Sequence, residues 1–259
     1  MRKTVRHILV LVLTALCAAG LFAALRASAA RRHRTTCRGV EIAVMDSLKR
    51  HFVTEQDVRD YLAEDGKFIG VRIDSVDLVG IESMLDRRSA IHKSEAYITD
   101  DGILHVDITQ REPVVRFQTD GNGFYADAQG FIFPLQRHFT SRVPVIDGAV
   151  PLKVGRGFKG EPADEAGRRW LAEAVRLVRT LERSKTWNGF FSQISVLPGG
   201  DLVLVPREGR ERFIIGPARG LEAKLGRIRS YYEAVVPAGA PDRYGTVNVK
   251  YDKQIICKP

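Results

Sequence analysis

A chain of 259 residues, 44% apolar and 27% charged, has room for one anchor and one or two small packed domains. The formal charge of +9 does not point to nucleic acid. The first 34 residues carry seven Lys/Arg and no acid, and the other 225 carry 33 basic against 31 acidic side chains, so no concentrated basic face remains for a phosphate backbone.

From Ile8 to Leu25 the chain runs eighteen residues without a charge. At 1.5 Å per residue that covers about 27 Å, enough to cross a bilayer core. The competing reading is a cleaved leader ending at Ala27-Ser28-Ala29. The run exceeds an ordinary leader's apolar region, and Arg26 sits where a cleavage region is uncharged, so a retained anchor is the expectation. Basic residues flank both ends, and charge alone does not orient it. Residues 1–7 are then a short tail and 26–36 a polar linker.

Gly39–Asp46 reads as a strand, with Val40, Ile42 and Val44 alternating against Glu41 and Ala43. Thr54-Glu55-Gln56-Asp57 resembles a capping box opening a helix that carries Val58, Tyr61 and Leu62 and stops before Gly66. A second short helix, Asp77–Asp86, places Leu78, Ile81 and Leu85 at helical spacing. Glu95–Ile98 and Ile103–Gln110 are strands joined by the tight turn Asp100-Asp101-Gly102. The order is β-α-α-β-β.

Beyond Pro113 the pattern changes to short strands at Val114–Gln118, Phe124–Ala126, Phe131–Pro134 and Val143–Asp147. A helix from Pro162 to Arg183 bears the apolar stripe of an element that covers a sheet. Strands resume at Gln193–Leu197, Leu202–Pro206 and Arg212–Ile215, followed by a helix over Leu221–Val235 with Leu221, Leu225, Ile228 and Tyr232 on one face. The chain closes with one strand, Thr246–Ile256. No later strand covers it, so it is expected at a sheet edge, guarded by lysines and open to a partner's strand. Val247, Val249, Tyr251, Lys253 and Ile255 are its candidate partner-binding residues. The fold class is α+β: a transmembrane helix (8–25), a β-α-α-β-β domain (37–112) and a mixed β domain with two covering helices (113–259).

Catalytic signatures are lacking. The six histidines are scattered without an i,i+4 pair, and no nucleophile elbow, phosphate loop or dinucleotide fingerprint occurs. No metal or cofactor is expected. Cys37 and Cys257 either pair or remain two small thiols, which sequence cannot decide.

These elements resemble a known family. An anchor followed by β-α-α-β-β is similar to a polypeptide-transport-associated (POTRA) domain beside a membrane. Val106–Val114, Tyr125–Phe133 and Arg142–Gly148 resemble successive segments of the bacterial cell-division family FtsQ/DivIB. Trp187 with Gln193-Ile194, and the closing Tyr244–Tyr251, resemble its Bacteroidota-type version. The Gly-rich basic stretch 152–162 has no counterpart in that pattern. The resemblance implies a single-pass type II protein of the bacterial inner membrane. On that resemblance its soluble region is expected in the periplasm at the division septum, acting as a scaffold. The implied partners are FtsB- and FtsL-like proteins and, through them, the septal peptidoglycan synthase, with no cofactor, nucleic acid or small-molecule substrate. FtsB is placed on the last strand, with Tyr251 where the family carries a contact tyrosine. The alternative reading is a membrane-anchored envelope enzyme acting on cell wall or peptide. A POTRA-bearing outer-membrane barrel is disfavoured, because two helices interrupt the strands that follow the first domain.

Overall fold

The computed structural model describes residues 12–24, 26, 35–46, 51–119, 121–136, 139–238 and 244–259. Residues 12–24 are helical and exposed (α1). Among the described residues no helix is long and apolar enough to cross a membrane. The expected tail 1–7, residues 8–11 and 25 of the expected span, and 27–34 of the linker lie outside the described residues. The chain divides into two compact units, residues 1–110 and 111–259.

The first unit contains β1 (Gly39–Val44), α2 (Glu55–Asp65), α3 (Leu78–Asp86), β2 (Ile91–Ile98) and β3 (Ile103–Gln110). Its sheet runs β1-β3-β2, with β1 parallel and β2 antiparallel to β3. A parallel pair cannot be joined by a tight turn, and here the two helices make the crossover. The Thr54/Asp57 box caps α2 reciprocally, and Asp77 accepts from Gly80 N at the start of α3. Val58, Leu62, Ile81 and Leu85 from the helices and Ile91, Leu104, Val106 and Ile108 from the sheet are almost fully enclosed. Gln110, 2% exposed, closes the unit: its Oε1 accepts from Val53 N at 2.8 Å and its Nε2 donates to Asp46 at 3.0 Å. β2 starts four residues earlier than its sequence pattern suggests, because Ser94 is held to Asp86 of α3 rather than facing water.

The second unit is one sheet of nine strands in the order β12-β11-β10-β9-β8-β7-β4-β5-β6. Its members are β4 (Pro113–Thr119), β5 (Asn122–Asp127), β6 (Ile132–Pro134), β7 (Val145–Gly148), β8 (Phe191–Val196), β9 (Leu202–Pro206), β10 (Arg212–Gly216), β11 (Thr246–Asn248) and β12 (Ile256–Lys258). Helix α4 (Glu165–Arg183) links the parallel strands β7 and β8, and α5 (Leu221–Ser230) links the parallel β10 and β11. Leu171, Ala174, Leu177, Val178 and Leu181 of α4 and Leu225 and Ile228 of α5 bury against the sheet's Phe117, Ile146, Ile194, Leu204 and Phe213. Gly148 closes β7 at φ +83, where a Cβ would collide with the Val196 carbonyl. Asp127 makes the β5–β6 turn by accepting from Gln129 N at 3.0 Å and Phe131 N at 2.9 Å, and its other oxygen pairs with Arg111 at 2.9 Å.

Two elements of the second unit also depart from their sequence patterns. The helix expected over Leu221–Val235 widens into a π-turn at Tyr231–Val235 before a last short helix, α6 (Val236–Ala238). The extra residue in that turn lets both Tyr231 and Tyr232 meet the Phe213 ring, with centroids 5.5 and 5.7 Å away, and buries Tyr231 most deeply at 2% exposed. The strand expected over Thr246–Ile256 is instead two three-residue strands, β11 and β12, folded back on each other.

Leu85 has no exposed surface, so Leu85→Ala should cost the first unit about 2–5 kcal/mol through lost burial and a residual cavity. Leu85→Asp should unfold that unit by burying an unpaired charge. Urea denaturation followed by hydrogen exchange checks both, with protection lost across 39–110 and kept across 113–216.

Candidate functional site

The C-terminal hairpin is built on β10. Strand β11 pairs with it in parallel (Arg212↔Thr246, Phe213↔Val247, Ile214↔Asn248). Strand β12 then returns antiparallel along β11 (Thr246↔Lys258, Val247↔Cys257, Asn248↔Ile256). Beyond β11, Val249 N donates to Ile214 O at 2.9 Å and Arg227 of α5 donates to Val249 O at 3.0 Å.

The connecting segment is braced on both sides. Lys250 Nζ donates to the two carboxylate oxygens of Asp201 at 2.9 and 2.7 Å, and Asn248 Oδ1 accepts from Lys250 N at 3.0 Å. Arg227 also reaches Asp252 at 3.6 Å. The hydrogen bond from Lys250 to Asp201 holds its ammonium above the ordinary lysine range. Gly216 ends β10 at φ +65, and a Cβ there would come within 2.8 Å of the Lys250 side chain, so glycine both makes the turn and admits the lysine.

The five sequence-predicted residues fall in different places. Val247 and Val249 have no exposed surface and belong to the core. Tyr251 is 51% exposed and Lys253 is exposed in the connecting turn, at φ +57. Ile255 is half-buried, packed against the core. The hairpin gathers Tyr251 and Lys253 on its outside and leaves the two valines beneath. Sequence reasoning passed over Ile256, 40% exposed on β12, and the Asp201–Lys250 brace. Exposure of Ile256 follows from the fold-back at 249–255, which no periodicity announces. The brace joins residues 49 apart.

Strand β12 is the outermost of the nine, so among the described residues one side of it has no strand neighbour. The opposite edge, β6, is closed differently. Ile132 N donates to Gly160 O at 2.8 Å, Gly160 N donates to Ile132 O at 2.9 Å, and Pro134 ends the strand. The Gly-rich stretch 152–162 therefore serves as the cover of that edge.

Behind the hairpin lies a buried polar cluster. Glu211, 5% exposed, accepts from the Tyr231 hydroxyl at 3.5 Å. Burial, and then the Glu211 carboxylate, push Tyr231 from 10.0 to about 12, and burial pushes Tyr232 up further. Burial also raises the Cys257 thiol. Cys37 and Cys257 are both free thiols. Among the described residues no group of three or more His, Cys, Asp or Glu is arranged to hold a metal ion.

Residues 112–258 match the family described as FtsQ/DivIB, C-terminal related, and residues 35–109 match the POTRA-like domain. No curated protein matches the chain.

The Tyr231 shift sets an alkaline limit. A tyrosine whose folded value lies above its unfolded value stabilises the fold fully below pH 10 and loses that contribution as pH rises toward 12. Thermal midpoints measured from pH 8 to 12 should therefore fall above pH 10. Tyr231→Phe should flatten that fall in part, leaving the share due to Tyr232, Cys257 and Lys250, which are raised in the same direction.

Proposed function

The chain belongs to the FtsQ/DivIB family, because the matched segment 112–258 covers more than half of its length, and we propose that it is a non-catalytic, membrane-anchored scaffold of the bacterial division machinery. In this reading residues 1–7 are cytoplasmic and 8–25 form the single span. Residues 26–36 are the linker, 37–112 the POTRA-like domain and 113–259 the family's β domain, the last two in the periplasm at the septum. The uncharged run Ile8–Leu25 supports the span. A cytoplasm-only reporter fused after Pro259 should be silent, and a bright signal would reverse the topology.

One observation carries the scaffold reading: of the two edges of the large sheet, β6 is covered and β12 is open. A short open edge bearing exposed Ile256 and Lys258, with Tyr251 and Lys253 exposed in the turn that precedes it, is a template for strand addition. Main-chain hydrogen bonds supply affinity there, and alternate side chains set specificity. The proposed partner is an FtsB-like bitopic protein, accompanied by an FtsL-like one, whose strand extends the sheet at β12 and so couples the scaffold to septal peptidoglycan synthesis. Tyr251, Lys253 and Ile255 would meet it directly. Val247 and Val249 would hold the hairpin from below, and Ile256 joins the contact row.

Tyr251→Ala should weaken partner binding by about 2 kcal/mol, roughly thirtyfold, if Tyr251 is an interface anchor. Its exposure predicts a stability change within about 0.5 kcal/mol. Lys253→Glu should act in the same direction, and truncation after Thr246 should abolish binding. Calorimetry on the purified chain with the partner's ectodomain, beside a thermal melt, separates the outcomes. A destabilisation of about 3–5 kcal/mol with binding retained would make Tyr251 a packing residue and move the interface elsewhere.

A further inference from the structure

At the end of the large sheet away from β12, helix α4 and the β5–β6 turn 128–130 enclose an open groove of about 410 Å³. Leu171 and Val175 form its floor at 1% and 5% exposed, with Ala172 exposed between them. Four arginines, Arg168, Arg176, Arg179 and Arg183, line it. Arg168 uses one guanidinium nitrogen on the Pro162 and Ala163 carbonyls, both at 2.8 Å. The lining holds one carboxylate, Glu161, and Glu182 lies near enough to feel Arg179, but among the described residues no carboxylate is within ion-pair distance of any of the four, so the arginines outnumber the acid. Elsewhere on α4 the chain does pair its charges: Arg169 with Glu165 one turn before it, and Arg219 with Glu173 at 4.0 Å. In the groove, by contrast, Arg176–Arg179 and Arg179–Arg183 are like charges at spacings of three and four, which disfavour a helix.

We propose that this groove docks an acidic amphipathic segment of a partner protein. Its carboxylates would pair with the four arginines and its apolar side chains would cover Ala172 and Val175. Charge complementarity selects an anion, and the planar guanidinium suits the carboxylate fork. Length selects a peptide: Arg168 to Arg183 span fifteen residues of one helix, about 22 Å, too extended for a single small anion. Recess selects a peptide over a bilayer, because the 128–130 turn stands beside the arginines as a second wall. The surface lies at the far end of the sheet from β12 and does not depend on the strand-addition reading.

The test uses the full chain in neutral detergent. A fluorescein-labelled synthetic helix about four turns long is the probe, with leucines along one face and glutamates flanking them. Polyglutamate of the same length and phosphatidylglycerol vesicles are the comparisons. The Leu/Glu helix should bind, more weakly as salt rises, and Arg176→Glu with Arg183→Glu should reduce affinity at least about tenfold at an unchanged thermal midpoint. Arg219→Glu, outside the groove and 84% exposed, should change nothing. If the double variant misfolds, the single exposed change Arg176→Ala is read the same way. The proposal is overturned by any one of four results. They are failure of the Leu/Glu helix to bind, equal binding to the folded variant, equal affinity for polyglutamate, or arginine-dependent binding to vesicles instead of the helix.

Discussion

Strand β11 pairs in parallel with β10, and the position of the free edge depends on that pairing. A parallel neighbour cannot be reached by a tight turn, so the chain must leave β10, cross the sheet face and re-enter beside it. Helix α5 makes that crossing, burying Leu225 and Ile228 on the way. The crossing in turn sets the demands on its two ends. Gly216 takes the left-handed turn out of β10, and the π-turn at Tyr231–Val235 seats two tyrosines against Phe213. With β11 fixed from one side, only its other side is available to the last residues, and β12 occupies it.

Asp201 and Lys250 then decide how rigid that edge is. The lysine reaches from the hairpin turn to the residue just before β9, two strands inward from β11. Arg227 ties the same turn to α5 through Val249 O. A partner strand adding to β12 would meet an edge whose geometry is already set, so little ordering entropy is lost at the contact. The opposite edge is closed by a bridge to Gly160 and a terminating proline, the devices that keep a sheet edge from pairing. The two edges of the sheet are therefore unlike: one is bridged, and the other has no strand neighbour among the described residues.

Segments that carried the family likeness have physical roles of their own. Asp127 in Tyr125–Phe133 is a turn-maker, accepting two backbone N–H groups while its second oxygen neutralises Arg111, whose guanidinium also lies 3.5 Å from the Phe131 ring centroid. Gly148 is required by the Val196 carbonyl. Trp187 stacks on Phe191 at 5.5 Å and meets Phe190 edge-on, closing the base of α4 onto β8. These side chains hold the sheet together.

Patterns that report local periodicity were legible in the sequence. The β-α-α-β-β order, the Thr54/Asp57 cap and the apolar stripe of α4 all arise from residues within a few positions of one another, where alternation and capping chemistry act directly. The strand at the end of the chain was legible as strand-like, and Tyr251 as a candidate contact. What tertiary structure alone decided was the fold-back at 249–255. Its causes are the Asp201 carboxylate 49 residues earlier, the Arg227 guanidinium 22 residues earlier and the cavity that takes Val247 and Val249. The same long-range pairing turned an alternating row of five residues into two buried valines, an exposed tyrosine and lysine, and a half-buried isoleucine. It also gave the Gly-rich basic stretch 152–162 its place against β6, because a backbone bridge at Gly160 requires main-chain geometry and no particular side chain.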